Sequence, residues 1–198
     1  MAELVAAGVE PGCLLVASPI LGDPNFHRTV IYVIEHGPQG TTGLVLNRPS
    51  QAAVSEILPQ WWELASPPKN LFVGGPVERT AALCLGRTAP IGGISRSDAE
   101  PVPVGWRPVS GSVGLIDLDG EPERMAAMVT DLRIFAGYAG WSADQLATEI
   151  ADNAWIIVAG RADDVFSDGD GDLWAGVLRR QGGHLALIAG YPDDPRLN

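Results

Sequence analysis

Residues Asp23–His36 read DPNFHRTVIYVIEH, an acid, two histidines, an arginine and a second acid placed around an apolar run. Read as a ligand cluster, this stretch would make the chain a candidate metalloenzyme. Read as a strand with polar ends, it opens a β-sheet. The centre of the run, Thr29–His36, is rich in β-branched and aromatic residues, which favours the strand. On a strand, Glu35 and His36 point to opposite faces, and His27 and His36 lie about 30 Å apart at about 3.3 Å per residue. One extended strand cannot bring both histidines to one ion, and His184 is the only other histidine. No metal site and no cofactor are expected.

Outward from this strand, GPQGTTG separates it from Gly43–Asn47, so the two runs are expected to form a β-hairpin. Asn47-Arg48-Pro49 should end the second strand, because proline cannot donate to a ladder. Cys13–Ser18 reads as a buried strand closed by Pro19. Val54, Ile57, Leu58 and Trp61 fall on a helical stripe that Pro59 interrupts, which predicts a short helix. Leu71–Val77 and Ala81–Gly86 read as a strand pair, residues 89–108 as an irregular loop, and Ser112–Leu118 as a strand turning at Asp119-Gly120.

Further along, Met125, Met128, Val129 and Leu132 form an apolar face that predicts a helix over 121–132. The run RIFAGYAGW is a strand entering a glycine bend, and Ser142-x-x-Gln145 has the spacing of a capping box. Residues 154–160 read as a strand, 172–181 as a helix stopping at Gly182-Gly183, and HLALIAGYP as a final strand. Strands cluster early and alternate with helices late, the pattern of an α+β domain with a mixed or mostly antiparallel sheet.

The chain has 198 residues, enough for one domain, and no apolar run approaches the length of a membrane-spanning helix. Its N-terminal residues lack the order of a secretory signal, so a cytoplasmic location is expected. Cys13 and Cys84 read as separate buried thiols. The net charge of −11 is concentrated in residues 98–198, which hold 17 acids and 7 bases against 7 and 6 in residues 1–97. Such a field repels phosphate backbones, and no helix-turn-helix signal offsets it, so direct nucleic-acid binding is not expected.

The set DPNFHRTVIYVIEH, GTTGLVLNRP, FVGGPV, RIFAGYAGWSADQL and LRRQGGHLALIAGYPDDPRLN, in this order and spacing, resembles the YqgE/AlgH family of bacterial proteins. The resemblance runs from about Pro11 to Asn198 and implies a single α+β domain over residues 1–198, with residues 1–10 as an extension. It further implies a bifurcated β-sheet folded into a pseudo-barrel and flanked by short helices. Some family members carry a transcriptional-regulator label, but the resemblance supplies no catalytic residues. His27 falls where the family motif is open.

Other constellations weigh toward structure. Asp168, Asp170 and Asp172 have the alternation that begins a calcium loop, but Leu173 and Arg179 stand where an EF-hand needs glycine and glutamate. An acidic turn capping the next helix accounts for the same residues, and adventitious calcium there is left open. GYAGWS can offer backbone N–H groups to an anion at a helix start, and GGPV can allow close backbone approach, yet neither matches a phosphate-binding motif. No nucleophile elbow is present. The expectation is therefore a non-enzymatic protein acting through a protein partner or a small ligand, with an indirect effect on gene expression. Trp61, Trp62 and Trp141 are read as surface residues. The alternatives are a direct DNA-binding regulator, or an enzyme or small-molecule binder with ligand-binding candidates Arg28, Asn47, Gly75, Gly140 and Trp141. Arg28 is expected to pair with Asp23 or Glu35.

Overall fold

The computed structural model describes residues 8–89, 103–168 and 171–192. Strand β1 (Cys13–Ala17) lies between β2 (Val30–Gly37) and a strand from late in the chain, and β2 turns into β3 (Gly40–Val45). The predicted hairpin therefore forms, but its turn is tighter than the Gly- and Pro-containing linker suggests. Gly37 pairs with Gly40, and Thr41, Thr42 and Gly43 join the strand. Gly40 has φ +128°, a conformation that suits glycine, and a Cβ there would run into the Trp141 carbonyl.

Next come β4 (Pro49–Ala53), α1 (Val54–Ile57) and a 3₁₀ turn over Pro59–Trp61. The helix stops before Pro59 as its ring requires. Strands β5 (Asn70–Val73) and β6 (Val77–Thr88) follow, but they do not pair with each other as expected. Strand β5 runs antiparallel to β4 and parallel to a later strand that also pairs with β6.

The presumed irregular loop holds order at its end: β7 (Trp106–Ser110) pairs with β8 (Val113–Ile116), and Trp106 is buried. Residues 90–102 of that loop lie outside the described residues. The helix predicted over 121–132 is cut to α2 (Pro122–Ala126), and β9 (Val129–Trp141) begins where its apolar face should continue. Pairing explains the difference. Val129 meets Thr88 and Leu132 meets Gly86, so the long ladder to β6 overrides the local helical spacing.

The sheet divides at β9. Its first part pairs with β6 and β5, whereas Ala139, Gly140 and Trp141 pair with β3. Gly137, at φ +69°, marks the crossing; a Cβ there would lie 2.7 Å from the Val77 carbonyl and 2.8 Å from that of Gly75. The strand order β10-β1-β2-β3-β9-β6-β8-β7, with β4 and β5 branching from β9, is thus a curled, mainly antiparallel half-barrel within a single α+β domain.

After β9 come α3 (Ala143–Ala151), β10 (Trp155–Ala159), α4 (Ala162–Val165), α5 (Leu173–Gln181) and α6 (Gly183–Ile188). Asp172 caps α5 by accepting a hydrogen bond from the Ala175 N–H at 3.0 Å, and Gly182 at φ +70° ends it as predicted. The capping box proposed for α3 does not form: Ser142 makes no side-chain cap bond, and Gln145 donates to Glu149. HLALIAGYP is helix α6, not a strand. Leu185 and Ile188, three apart, pack on the core that α5 covers.

The apolar run of β1 is continuous because both its faces are covered. Leu14 and Val16 face a core with Trp174, Val177 and Leu178 of α5, while Cys13, Leu15 and Ala17 face one with Leu146 of α3. A third cluster joins Trp61, Cys84, Trp106 and Leu132. Both cysteines are buried free thiols. No helix among the described residues is long and apolar enough to cross a membrane.

Candidate functional site

The five sequence candidates separate into structural and groove-lining roles. Asn47 is an internal brace: its side-chain carbonyl accepts from Val30 N–H at 3.0 Å, and its amide donates to the Arg28 carbonyl at 2.8 Å. This fixes Arg28 at φ +52°, an unusual conformation for a residue with a Cβ. The Arg28 guanidinium then meets Asp172 at 2.5 Å, donates to the Tyr191 carbonyl at 2.9 Å, and lies 4.0 Å from the Trp174 ring centre. The expected hairpin acids are not its partner. Asp23 instead caps its own turn, accepting from Asn25 N–H at 2.8 Å.

Gly75 serves backbone packing. A Cβ at this position would strike the Tyr138 carbonyl, and one at Gly74 would strike the Gly137 carbonyl. The close approach expected of GGPV is therefore strand against strand, at the point where the sheet divides.

Trp141 is buried, as is Trp61, while Trp62 is half-buried beneath the Lys69 ammonium; the three do not form the exposed surface expected. The Trp141 indole stacks on Phe26 with 5.9 Å between ring centres and meets Trp155 edge-on at 5.6 Å. Its N–H donates to Glu149 Oε2 at 2.9 Å, and the Trp155 N–H donates to the same oxygen at 2.7 Å. These contacts hold α3 on the outer face of β1–β3.

Gly140 and the end of β9 line a groove of about 580 Å³ against the β2–β3 turn. Its walls include Glu35, His36, Gln39, Thr42, Val77, Tyr138, Trp141 and Ser142. Arg28, Asn47 and Gly75 are not among its lining residues. A shift in register between Val33 and Glu35 sets the groove's geometry. Beyond it, Glu35 stands opposite Thr42, which stands opposite Gly140; His36 stands opposite Thr41, which stands opposite Trp141.

Directly opposed residues share a face and neighbours along a strand do not, so Glu35, Thr42 and Gly140 form one row, and His36, although it also borders the groove, belongs to the row on the other face. There, His36 Nδ1 is 2.7 Å from Thr41 Oγ1. On the Glu35 side, a Cβ at Gly140 would lie 3.5 Å from Cε2 of Tyr138 and 3.9 Å from Val77 Cγ2. The half-buried Tyr138 ring thus lies beside the exposed glycine and lines the groove. Sequence reasoning missed Glu35, Thr42 and Tyr138 as a set. The alternation of Tyr138 and Gly140 was a usable signal, but the register shift before Glu35 was not readable.

Among the described residues, no group of three His, Cys, Asp or Glu is placed to hold a metal. Asp170 of the acidic turn lies outside them. The remaining buried cation is structural: Arg133 donates to the Val165 and Pro67 carbonyls, both at 2.8 Å, and covers the Phe72 ring. Burial lowers its guanidinium to about 10, against the opposing pull of Asp131 and Asp168.

Comparison with known proteins agrees with this architecture. The sequence profile of the AlgH-like family, DUF179, matches residues 14–186. A UPF0301 protein of Streptomyces coelicolor is 49% identical over 187 residues, covering 94% of each chain. One from Mycobacterium leprae is 47% identical over 194 residues, covering 98% of this chain and 93% of its own. A crystal structure of a Corynebacterium diphtheriae protein superposes with a TM-score of 0.85 at 31% identity and 93% coverage of both chains. The solution structure of the AlgH protein from Pseudomonas aeruginosa gives 0.62 at 29% identity, covering 92% of this chain and 94% of that one. With a profile match across most of its length and close relatives along nearly all of it, the chain belongs to the AlgH-like family.

Proposed function

We propose that the protein is a non-enzymatic binding module that works through a small ligand, or a projecting group of a protein partner, seated in the groove between the β2–β3 turn and the end of β9. The observation that carries this reading is the shape and make-up of the groove. It is open, about 580 Å³ in volume, and combines the Tyr138 ring and Val77 with the polar side chains of Glu35, Gln39 and Thr42. Mixed apolar and polar walls of this size suit recognition of a small group. The ionisable side chains of β2 do not form an acid–base pair, because Glu35 and His36 lie on opposite faces of the strand.

An effect on gene expression would then be indirect, through the bound partner or ligand. The acidity of the chain, −11 overall, argues against a phosphate backbone as the occupant.

A fragment screen by two-dimensional amide NMR tests the reading. Binders are expected to shift the amides of Gly37, Gly40, Gly140 and Ser142 together. A library that leaves these amides unmoved, combined with lysate pull-downs that recover the same proteins with wild type and a Thr42→Trp variant, would remove the groove as the site.

A further inference from the structure

We propose that the occupant of the groove is an organic cation, a protonated amine or guanidinium, held between the Glu35 carboxylate and the face of Tyr138. The inference rests on the groove reading above and adds the chemistry of its occupant.

The argument starts from the row Glu35, Thr42, Gly140 across three adjacent strands. Two strand spacings place the Glu35 and Gly140 backbones about 10 Å apart, with Thr42 between them. Glu35 and Tyr138 both line the groove, and the spacing of their strands leaves room between them for an alkylammonium group. At Gly140 the missing side chain is what exposes the ring, because the space its Cβ would enter is bounded by Tyr138 Cε2 and Cδ2 at 3.5 and 3.8 Å. An aromatic face attracts cations through its quadrupole, and a carboxylate adds a charge-assisted hydrogen bond.

Glu35 is available for this role. It is exposed and takes part in none of the ion pairs or side-chain hydrogen bonds among the described residues, whereas Arg28, Arg87, Arg124 and Arg180 are each paired with another acid. Thr42 supplies a hydroxyl beside it, able to accept a further N–H. The lining residues include no lysine or arginine to compete for the carboxylate. The net charge of −11 favours approach of a cation from solution.

The two sources of such a group are a free amine and a basic side chain of a partner protein. Amide NMR titrations of the full chain with butylamine, with N-acetyl-lysine methylamide and with the neutral N-acetyl-norleucine methylamide separate these cases. The amine probes are expected to shift the Thr42 and Gly140 amides saturably, and the neutral isostere to do so far more weakly. Tighter binding of the lysine derivative than of butylamine assigns the site to a basic side chain, and the reverse assigns it to a free amine.

Glu35→Gln, a surface change that keeps the shape, should weaken the amine probes by about fivefold, the upper range for an exposed charge pair. Tyr138→Leu should weaken them as well, checked against an unchanged amide spectrum elsewhere. Equal shifts from the neutral and charged probes, or equal affinities in Glu35→Gln and wild type, would overturn the cation assignment while leaving the groove as a binding site. Absence of any shift at Thr42 and Gly140 with all three probes also overturns it, and the fragment screen then decides independently whether the groove binds anything else.

Discussion

Arg28 and Asp172 are joined across 144 positions of chain by a 2.5 Å contact between Nη2 and Oδ2. The pair ties the turn before β2 to the first turn of α5, whose Trp174 lies under the same guanidinium and donates its indole N–H to the Ala17 carbonyl at 2.7 Å. Asp172 has two tasks, because its other oxygen caps α5.

These tasks can be separated by substitution. Arg28→Ala removes the ion pair, the carbonyl bond to Tyr191 and the ring contact, and should cost about 2 kcal/mol in urea unfolding. Lysine should restore only part, lacking the flat guanidinium that stacks on the indole. Asp172→Asn, which keeps a cap acceptor but loses the charge, should cost less than Asp172→Ala, which loses both. Equal losses for the two Asp172 variants would mean that the cap contributes nothing measurable beyond the ion pair.

The two glycines among the sequence candidates make opposite predictions. Gly75→Ala places a Cβ against the Tyr138 carbonyl, backbone on backbone, with no flexible side chain able to yield. It should destabilise the protein by about 3 kcal/mol or more, or abolish folding. Gly140→Ala meets its nearest atom at an ordinary 3.5 Å and should change stability by less than about 1 kcal/mol, within the range of other exposed substitutions. Thermal melts of the two variants decide this, and comparable melting points would mean that the sheet crossing is looser than its geometry implies.

This contrast also shows where sequence reading succeeds. The hairpin, the stop of α1 at Pro59 and the end of α5 at Gly182 depend on residues within a few positions of one another, and each was legible. Val129 and Leu132 were misassigned because their strand conformation is imposed by Thr88 and Gly86, more than forty residues away. The same holds for the site. Trp141 and Gly140 stood out as local motif residues, but whether each packs or lines a groove is decided by Glu149, Phe26 and the register of β3. Arg28 was recognised as half of an ion pair, and its partner was misread because the acid lies on a helix distant in sequence.

Glu149 provides a test of the aromatic cluster. One carboxylate oxygen accepts both the Trp141 and Trp155 indole N–H groups, and the other accepts from Gln145. Glu149→Ala leaves two indole donors without their acceptor on the partly buried face of α3. A loss of about 2 kcal/mol is expected, with a red shift of tryptophan emission as water reaches the rings. Glu149→Gln retains an acceptor oxygen and should lose less. An unchanged emission maximum in the alanine variant would indicate that water does not replace the carboxylate.

The two thiols predict how stability responds to alkaline pH. Burial raises the pKa of Cys13 and raises that of Cys84 well above the ordinary 9.0. Both then stay protonated in the folded chain at a pH where an unfolded chain ionises them. The folded state holds more protons, so the stabilisation is fully present below about pH 9.0 and is lost as pH rises through the raised folded values. Each thiol contributes a slope of up to about 1.4 kcal/mol per pH unit in that window. Urea unfolding at intervals from pH 7 to 10.5 should therefore show a steeper alkaline decline in wild type than in a Cys13→Ala/Cys84→Ala variant, after their difference at pH 7 is subtracted. Tyr32, whose hydroxyl is raised by burial and further by the neighbouring Cys13, is present in both proteins, so only the part of its shift that comes from Cys13 enters the difference. Parallel pH profiles would mean that the thiols ionise as readily in the folded protein as in the unfolded chain, and would overturn the shift that their burial implies.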